Sequence, residues 1–145
     1  MIIREANVND LMNLVKLEEE NFISPWTEEQ FNYELVENEF SKTLVIYDGD
    51  IFVGYLNYWL IFDRGEINKI CIRKDYRRKG YAKELLDIAF KDFEENECLS
   101  VSLEVRVSNE SAQKLYESYG FQTVVIKEAY YSDGEDAKYM IRGVF

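Results

Sequence analysis

The spacing of apolar residues along this chain switches between a two-residue and a helical period, which limits the folds open to it. Over Ser100–Val107, apolar and polar residues alternate, the pattern of a half-buried strand. From about Gly80 to Glu97, apolar residues recur at helical spacing, at Ala82, Leu85, Leu86, Ala89 and Phe93. A strand directly after an amphipathic helix predicts layers of sheet and helix, the α/β (α+β) class.

The same patterns assign the rest of the chain to seven strands and four helices. The predicted strands are Ile2–Arg4, Thr43–Tyr47, Ile51–Ile61, Glu66–Ile72, Ser100–Val107, Phe121–Lys127 and Ala137–Phe145. The predicted helices are Asn9–Asn21, Thr27–Leu35, Gly80–Glu97 and Asn109–Tyr119. The order β-α-α-β-β-β-α-β-α-β-β predicts one domain over residues 1–145, with a mixed sheet and helices on both faces.

Local signals mark several of the boundaries. Thr27 and Gln30 form a capping-box pattern that begins the second helix. The Asp48-Gly49 dipeptide predicts a type I′ hairpin turn between two strands. Gly120 stands where the fourth helix should end, as its C′ residue.

Composition excludes several kinds of site. The chain has no histidine, which rules out Ser-His or Cys-His catalysis and the common imidazole metal sites, so we expect no metal. A net charge of −11 argues against nucleic acid as a partner and favours a cationic one, although charge also serves solubility alone. Two cysteines, no bilayer-length apolar run and no signal-peptide pattern predict a soluble cytoplasmic protein without a membrane partner.

A basic segment stands between a predicted strand and the long third helix. It reads Arg77-Arg78-Lys79-Gly80-Tyr81-Ala82, in a chain that is otherwise strongly acidic. A helix start offers unpaired N–H groups and a positive dipole end, and a glycine lets the backbone approach a phosphate. The segment therefore predicts an anion cradle, although an ordinary solvated loop that merely begins a helix fits it equally well.

A second motif follows after one helix and one strand. In the segment from Asn109 to Phe121, Asn109, Ala112, Gln113 and Tyr116 share one helical face. Together the pattern R-x-x-G-x-A and the later N-x-x-A-x-x-L-Y-x-x-x-G-F resemble the acetyl-CoA-binding motifs of the GCN5-related N-acetyltransferases. The likeness covers nearly the whole chain and is greatest to the branch that acetylates the N-terminal alanine of ribosomal proteins.

This resemblance implies a mostly antiparallel sheet, acetyl-CoA as acetyl donor and a role for each matching residue. Glu104 would accept a proton and Tyr116 would donate one. The implied donor-binding residues are Ile70, Cys71 and Ile72 for the pantetheine arm and acetyl carbonyl, Arg77, Arg78, Lys79, Gly80, Tyr81 and Ala82 for the pyrophosphate, and Asn109. Cys71 and Ala82 depart from the usual alanine and glycine of the family. Trp26, Tyr130 and Tyr131 could wall the acceptor groove or simply pack within loops.

The chemistry expected of such a site agrees with these residues. An α-amine has a pKa near ~8 against ~10.4 for lysine, so roughly a tenth of it is already neutral at pH 7. A glutamate whose pKa is raised by partial burial can accept the remaining proton. The leading hypothesis is therefore direct transfer of acetyl, in a ternary complex, to the N-terminal α-amine of a basic ribosomal protein, with alanine preferred as the first residue. A second hypothesis keeps the cofactor but takes a polyamine, another small amine or a lysine side chain as acceptor. A non-catalytic acyl-CoA-binding module is the third alternative, and the oligomeric state is undetermined.

Overall fold

A computed structural model of the chain describes residues 1–143. Its strands are β1 (Ile2–Glu5), β2 (Ser41–Asp48), β3 (Ile51–Ile61), β4 (Arg64–Ile72), β5 (Ser100–Arg106), β6 (Gln122–Lys127) and β7 (Ala137–Gly143). Its helices are α1 (Leu11–Asn21), α2 (Glu28–Asn32), α3 (Tyr81–Glu95) and α4 (Glu110–Ser118), and a π-helical turn (Tyr33–Glu37) continues α2. The predicted order is therefore confirmed, while Val144 and Phe145, assigned to the last strand, lie outside the described residues.

The seven strands form one sheet in the order β1-β2-β3-β4-β5-β7-β6. Every neighbouring pair is antiparallel except β4 and β5, which run parallel. The expected mixed, mostly antiparallel sheet is thus confirmed. The parallel pair arises because α3 connects two adjacent strands as a crossover.

The sheet splits between its two parallel strands. They pair at only three positions, Arg64 with Ser100, Gly65 with Val101 and Glu66 with Ser102. Just beyond, Asn57 of β3 pairs with Lys69 and the next β3 residue pairs with Ile67, which leaves Asn68 as the extra residue of a β-bulge. A bulge bends its strand, so the second half of β4 diverges from β5 and a gap opens in the sheet.

Helices cover both faces of the sheet. On one face, α3 and α4 pack on apolar residues of the strands, among them Leu103 and Ile67. Of the predicted stripe of α3, Leu85, Leu86, Ala89 and Phe93 are fully buried, and Ala82 is partly buried against the same core. On the opposite face, α1 and α2 enclose a second, smaller core around Tyr55. We refer to these as the α3/α4 face and the α1/α2 face.

Two of the local signals are confirmed and one is wrong. The Thr27 Oγ1 accepts the Gln30 N–H and the Gln30 side chain accepts the Thr27 N–H, as a capping box requires. Gly120 has a φ of +90° after α4. In the hairpin, Asp48 pairs with Ile51, so the two turn residues are Gly49 and Asp50. Only Gly49 has a positive φ there (+59°), whereas type I′ needs positive φ at both residues.

Within residues 1–143, no helix is both long and apolar enough to cross a bilayer. In the same part of the chain, no three side chains of the histidine, cysteine, aspartate and glutamate types are placed to share a metal ion.

Candidate active site

A cavity of about 700 Å³ lies between the end of β4 and the N-termini of α3 and α4. Nine of the ten predicted donor-binding residues line it, namely Ile70, Cys71, Ile72, Arg77, Arg78, Gly80, Tyr81, Ala82 and Asn109. Lys79 is not among its lining residues. Sequence patterns missed Asn21 and Phe22, which enter the cavity wall from the C-terminal end of α1. Neither carried a motif signal, because their place depends on how α1 packs against β4.

The free edge of β4 offers backbone groups to this cavity. The Arg73 N–H donates to the Val53 carbonyl of β3, and backbone pairing alternates along an antiparallel strand. Cys71 therefore also bonds toward β3, and its carbonyl oxygen lies 2.5 Å from where a Cβ on Gly54 would stand. The backbone groups of Ile70 and Ile72 point the other way, into the gap where β5 no longer pairs.

The basic loop turns sharply before α3. Arg78 and Gly80 adopt left-handed backbone conformations, with φ of +62° and +87°, and the first α-helical hydrogen bond runs from the Glu84 N–H to the Gly80 carbonyl. The N–H groups of the preceding helical residues have no partner in the helix, and these residues line the cavity. Alternating conformations of this kind group N–H donors into an anion-binding concavity.

Arg77, in contrast to Arg78 and Lys79, makes side-chain hydrogen bonds to other parts of the protein. Its Nε donates to the Ile72 carbonyl at 2.8 Å, and its Nη2 donates to the Asn21 side chain at 2.7 Å. It thereby ties the end of β4 to the end of α1. Arg78 and Lys79 are exposed, and their charges are free to meet an anion.

Two polar side chains fix the start of α4. Asn109 is the N-cap, since its side-chain oxygen accepts the Ala112 N–H at 3.2 Å. The buried Gln113 donates to the carbonyls of Arg106 and Val107 and accepts from Lys138. These bonds hold α4 against the end of β5 and set the position of Tyr116 one turn later.

Tyr116 lies on the α3/α4 face and is only 6% exposed, packed against Phe121 with ring centroids 5.8 Å apart. Its hydroxyl has no hydrogen-bond partner among residues 1–143. Every polar side-chain atom of that range that is completely buried does have such a partner. The hydroxyl therefore reaches solvent-accessible space. Burial, followed by the neighbouring Tyr131, raises the pKa of Tyr116, so the phenol stays protonated near neutral pH.

Glu104 lies on the α1/α2 face, because its neighbours Leu103 and Val105 are buried under α3. Its side chain is 28% exposed and its Oε1 accepts from Lys127 Nζ at 2.8 Å. Glu104 and Tyr116 thus approach the split from opposite faces of the sheet. Lys127, on β6, is a partner that sequence reasoning missed, because their contact depends on β7 lying between β5 and β6.

The predicted acceptor residues come from two loops that touch each other. Ser24, next to Pro25 and Trp26, makes a side-chain hydrogen bond of 2.7 Å to Ser132, next to Tyr131. Tyr130 and Tyr131 pack edge to face at 5.1 Å. Both loops lie on the α1/α2 face with Glu104. Lys127, the partner of Glu104, lies 5.3 Å from the centre of the Tyr130 ring, and Arg106, two residues after Glu104 on β5, lies 4.0 Å from that of Tyr131. Trp26 packs against the core on the same face.

Cys71 is buried on the α1/α2 face, in the core around Tyr55. Burial raises the pKa of its thiol to about 11. Because the thiolate is the reactive form of cysteine, this thiol is inert at neutral pH and lines the cavity as a small apolar group.

A long thioester that carries phosphates fits these features. The loop and the start of α3 offer N–H groups and cations to phosphate, and the β4 edge offers backbone groups to an extended amide-bearing arm. The arm would end at the split, between the sides that hold Glu104 and Tyr116. The fold and this site define an acyl-CoA-dependent transferase.

Comparison with known proteins gives the family. Residues 10–121 match the acetyltransferase (GNAT) family, to which this chain belongs. A Bacillus subtilis protein provisionally designated a ribosomal protein bS18-alanine N-acetyltransferase is 37% identical, over 95% of this chain and 92% of the relative. The Escherichia coli enzyme of that name is 29% identical, over 93% and 92% of the two chains. The crystal structure of the ribosomal-protein-S18-alanine N-acetyltransferase from Escherichia coli superimposes with a TM-score of 0.89 over 99% and 93% at 27% identity.

The chain is therefore an acetyl-CoA-dependent N-acetyltransferase, as the motifs implied.

The basic loop gives the first prediction. Arg78→Glu together with Lys79→Glu should weaken acetyl-CoA binding about tenfold to a hundredfold, if the two exposed cations that it reverses attract the phosphates as predicted. The salt dependence of binding should flatten, because exposed charge contacts are screened. Calorimetric titration at low and moderate salt measures both effects.

Lys16→Glu with Lys91→Glu is the control. It makes the same charge change on α1 and α3 and should leave acetyl-CoA binding intact. If the two double variants bound acetyl-CoA equally well, the loop would be an ordinary solvated helix start without a role in binding.

Proposed function

We propose that this enzyme transfers the acetyl group of acetyl-CoA to the N-terminal α-amine of a ribosomal protein, with alanine preferred as the first residue. The observation that carries the proposal is the likeness to enzymes so named, which extends over more than nine-tenths of the chains at 37% and 29% identity. On this proposal residues 1–145 form one catalytic domain that acts in the cytoplasm, where its acceptor is made.

Donor and acceptor would meet at the split from different directions. The donor lies along the cavity, with Ile70 and Ile72 bonding its arm and its acetyl carbonyl and the basic loop holding its phosphates. The acceptor N-terminus enters from the α1/α2 face, flanked by Trp26 and the pair Tyr130–Tyr131. Because both substrates reach the gap at once, the amine attacks the acetyl carbon directly and the enzyme needs no covalent intermediate.

Glu104 would accept the proton that the amine loses. It lies on the face from which the acceptor enters, and its partial burial keeps the carboxylate from full solvation. An α-amine suits this arrangement, because removing its proton costs roughly 3 kcal/mol less than for lysine. Lys127 would hold the Glu104 carboxylate in place.

Tyr116 would donate a hydrogen bond, and finally its proton, to the departing sulfur. Its hydroxyl is unpaired within residues 1–143, is protonated at neutral pH and lies on the opposite face from Glu104. Breaking the carbon–sulfur bond leaves negative charge on the sulfur, and a nearby O–H stabilises that charge.

The surface charge fits a basic acceptor. With a net charge of −11, the enzyme attracts a cationic ribosomal protein at low ionic strength. The same charge opposes direct binding to nucleic acid. Association with the acceptor should therefore slow as salt is added.

A competition between two peptides of equal charge tests the acceptor. One peptide has a free alanine N-terminus and blocked lysines, and the other has a blocked N-terminus and one free lysine. We expect the first to be acetylated at least tenfold faster at pH 7.5, measured by mass. Faster modification of the lysine peptide, or reaction with a polyamine alone, would contradict the proposal while leaving the family assignment intact.

A further inference from the structure

A second cavity, of about 400 Å³, lies on the α1/α2 face beside α2 and β3. Trp59 of β3 reaches it because Tyr58, the residue before, packs against Phe93 on the opposite face. No lysine or arginine of the described chain lines this cavity, and Lys69, which lies near Trp26, is paired with Glu18. The lining of the cavity includes three aromatic residues and two acids: Trp26, Tyr33, Trp59, Glu29 and Glu34.

Glu34 is a buried acid without a positive partner. Of the three buried acidic residues among residues 1–143, Asp10 and Glu18 each form an ion pair with a basic side chain. Glu34 is only 6% exposed, and its two carboxylate oxygens accept from neutral donors, Trp59 Nε1 at 2.9 Å and Asn38 Nδ2 at 2.7 Å. Each oxygen has a second lone pair that can accept another hydrogen bond. A cation brought to this cavity would therefore find a negative charge that nothing yet neutralises.

The cavity adjoins the place where the acceptor is proposed to enter. Trp26, which flanks that entrance, is also part of the cavity wall. Trp59 of β3 pairs with Glu66 of β4, and Glu66 pairs with Ser102 of β5, two residues before Glu104. Neighbouring strands lie about 4.8 Å apart, so two strand spacings, roughly 10 Å, separate Trp59 from β5. An extended peptide covers that distance in about three residues.

An arginine side chain suits this lining. Its planar guanidinium stacks on aromatic rings and forms charge-assisted hydrogen bonds with a carboxylate. Trp26 and Trp59 offer the rings, and Glu34 offers the carboxylate. Glu29, which is exposed at the edge of the cavity, adds a second negative charge.

We propose that this cavity, which we call the Glu34 pocket, binds an arginine side chain of the acceptor protein, contributed by the third or fourth residue of its N-terminal segment. The guanidinium bonds to the Glu34 carboxylate and lies against the tryptophan rings. This inference rests on the proposed function, because it specifies which N-terminal segments the enzyme selects. The cavity that receives acetyl-CoA takes no part in this contact.

A set of peptides of equal composition tests the inference. Each peptide begins with a free alanine, lacks lysine and carries one arginine, which is moved stepwise from position 2 to position 8. For the unaltered enzyme we expect kcat/KM to be highest with the arginine at position 3 or 4, about tenfold above position 8, because only there does the charge-assisted hydrogen bond form.

Glu34→Gln removes the charge and should abolish this dependence on position. Its control is Glu37→Gln, which makes the same charge change at an exposed residue of the same π-helical turn and should keep the dependence. The result is a ratio between peptides measured with one enzyme sample, so partial unfolding of a variant does not alter it. Acetyl-CoA affinity should be the same in all three enzymes.

A position dependence below about twofold in the unaltered enzyme would overturn the inference, as would an equal dependence in Glu34→Gln and Glu37→Gln. Failure of the proposed function looks different, because no peptide would then be acetylated on its α-amine. Binding of the same peptides to the enzyme with CoA, followed by tryptophan fluorescence, then decides on the pocket. Affinity that depends on the position of the arginine and loses this dependence in Glu34→Gln supports the inference, and uniform affinity overturns it.

Discussion

Replacing Tyr116 with phenylalanine should lower kcat by about a hundredfold or more, the size expected when a positioned proton donor is removed. Acetyl-CoA affinity should change little, because the hydroxyl is proposed to act only as the sulfur departs. Stability should also be nearly unchanged, since this hydroxyl makes no hydrogen bond within residues 1–143. Single-turnover measurements report the chemical step, and equilibrium titration reports binding.

Tyr119 provides the matched control for this experiment. Its hydroxyl donates a 2.7 Å hydrogen bond to Asp87 and lies 3.1 Å from the backbone carbonyl of Lys83. Neither Tyr119 nor Asp87 lines the cavity. Tyr119→Phe should therefore cost about 1 kcal/mol of unfolding free energy and leave the rate intact. If Tyr116→Phe kept the rate of the unaltered enzyme with chemistry limiting, the proton-donor role would be wrong.

Replacing Glu18 with alanine should reduce the free energy of unfolding by about 3–5 kcal/mol, the largest stability effect we expect. Glu18 is fully buried beneath the loop that carries Trp26. It accepts hydrogen bonds from the Tyr55 hydroxyl and the Trp26 N–H and pairs with Lys69 at 2.8 Å. Its removal leaves three donors without their acceptor, one of them a charge that is only 18% exposed.

Urea denaturation of Glu18→Ala measures this loss, with Glu19→Ala as the control. Glu19 is exposed on the same helix, and its replacement should change stability by less than about 0.5 kcal/mol. Glu18→Gln keeps one acceptor oxygen for the Trp26 N–H, and its NH2 group can donate to the Tyr55 hydroxyl, so its loss of stability should fall between those of the two variants. A loss below about 1 kcal/mol for Glu18→Ala would mean that this buried network does not stabilise the fold.

The helices and strands that bury only one face were predictable from the sequence. The stripe of α3 and the alternation of β5 each repeat a single periodic pattern, so Phe93 and Leu103 could be assigned to the core from spacing alone. The loop before α3, which lines the cavity, was predictable for another reason. Its basic residues and glycine contrast with an acidic chain, and its sharp turn is a matter of local backbone geometry.

The split in the sheet was not predictable, although it organises the site. The segment from Glu66 to Ile72 reads as one continuous strand, and the bulge at Asn68 appears only once β3 pairs with it. Register is set by tertiary pairing, which leaves no mark in the local pattern. For the same reason the sequence did not show that Glu104 of β5 would pair with Lys127 of β6 across the intervening β7.

The spacing of residues also gave no indication that a charged side chain would be buried. Glu18 stands in a run of three glutamates that reads as a solvated helix face, yet it is the centre of a buried network. Its partners Tyr55 and Lys69 lie on different strands. Such a site can be recognised only when the helix is placed against the sheet.

The central claim is that this split sheet delivers an acetyl group to an N-terminal α-amine. The most direct test is one basic peptide with a free alanine N-terminus and free lysines, incubated with acetyl-CoA and the enzyme and then fragmented in a mass spectrometer. We predict that the acetyl group is found on the α-nitrogen in nearly all of the product, and that Tyr116→Phe slows its appearance without changing its position. Acetyl groups located mainly on lysine side chains, or an unmodified peptide, would contradict the claim.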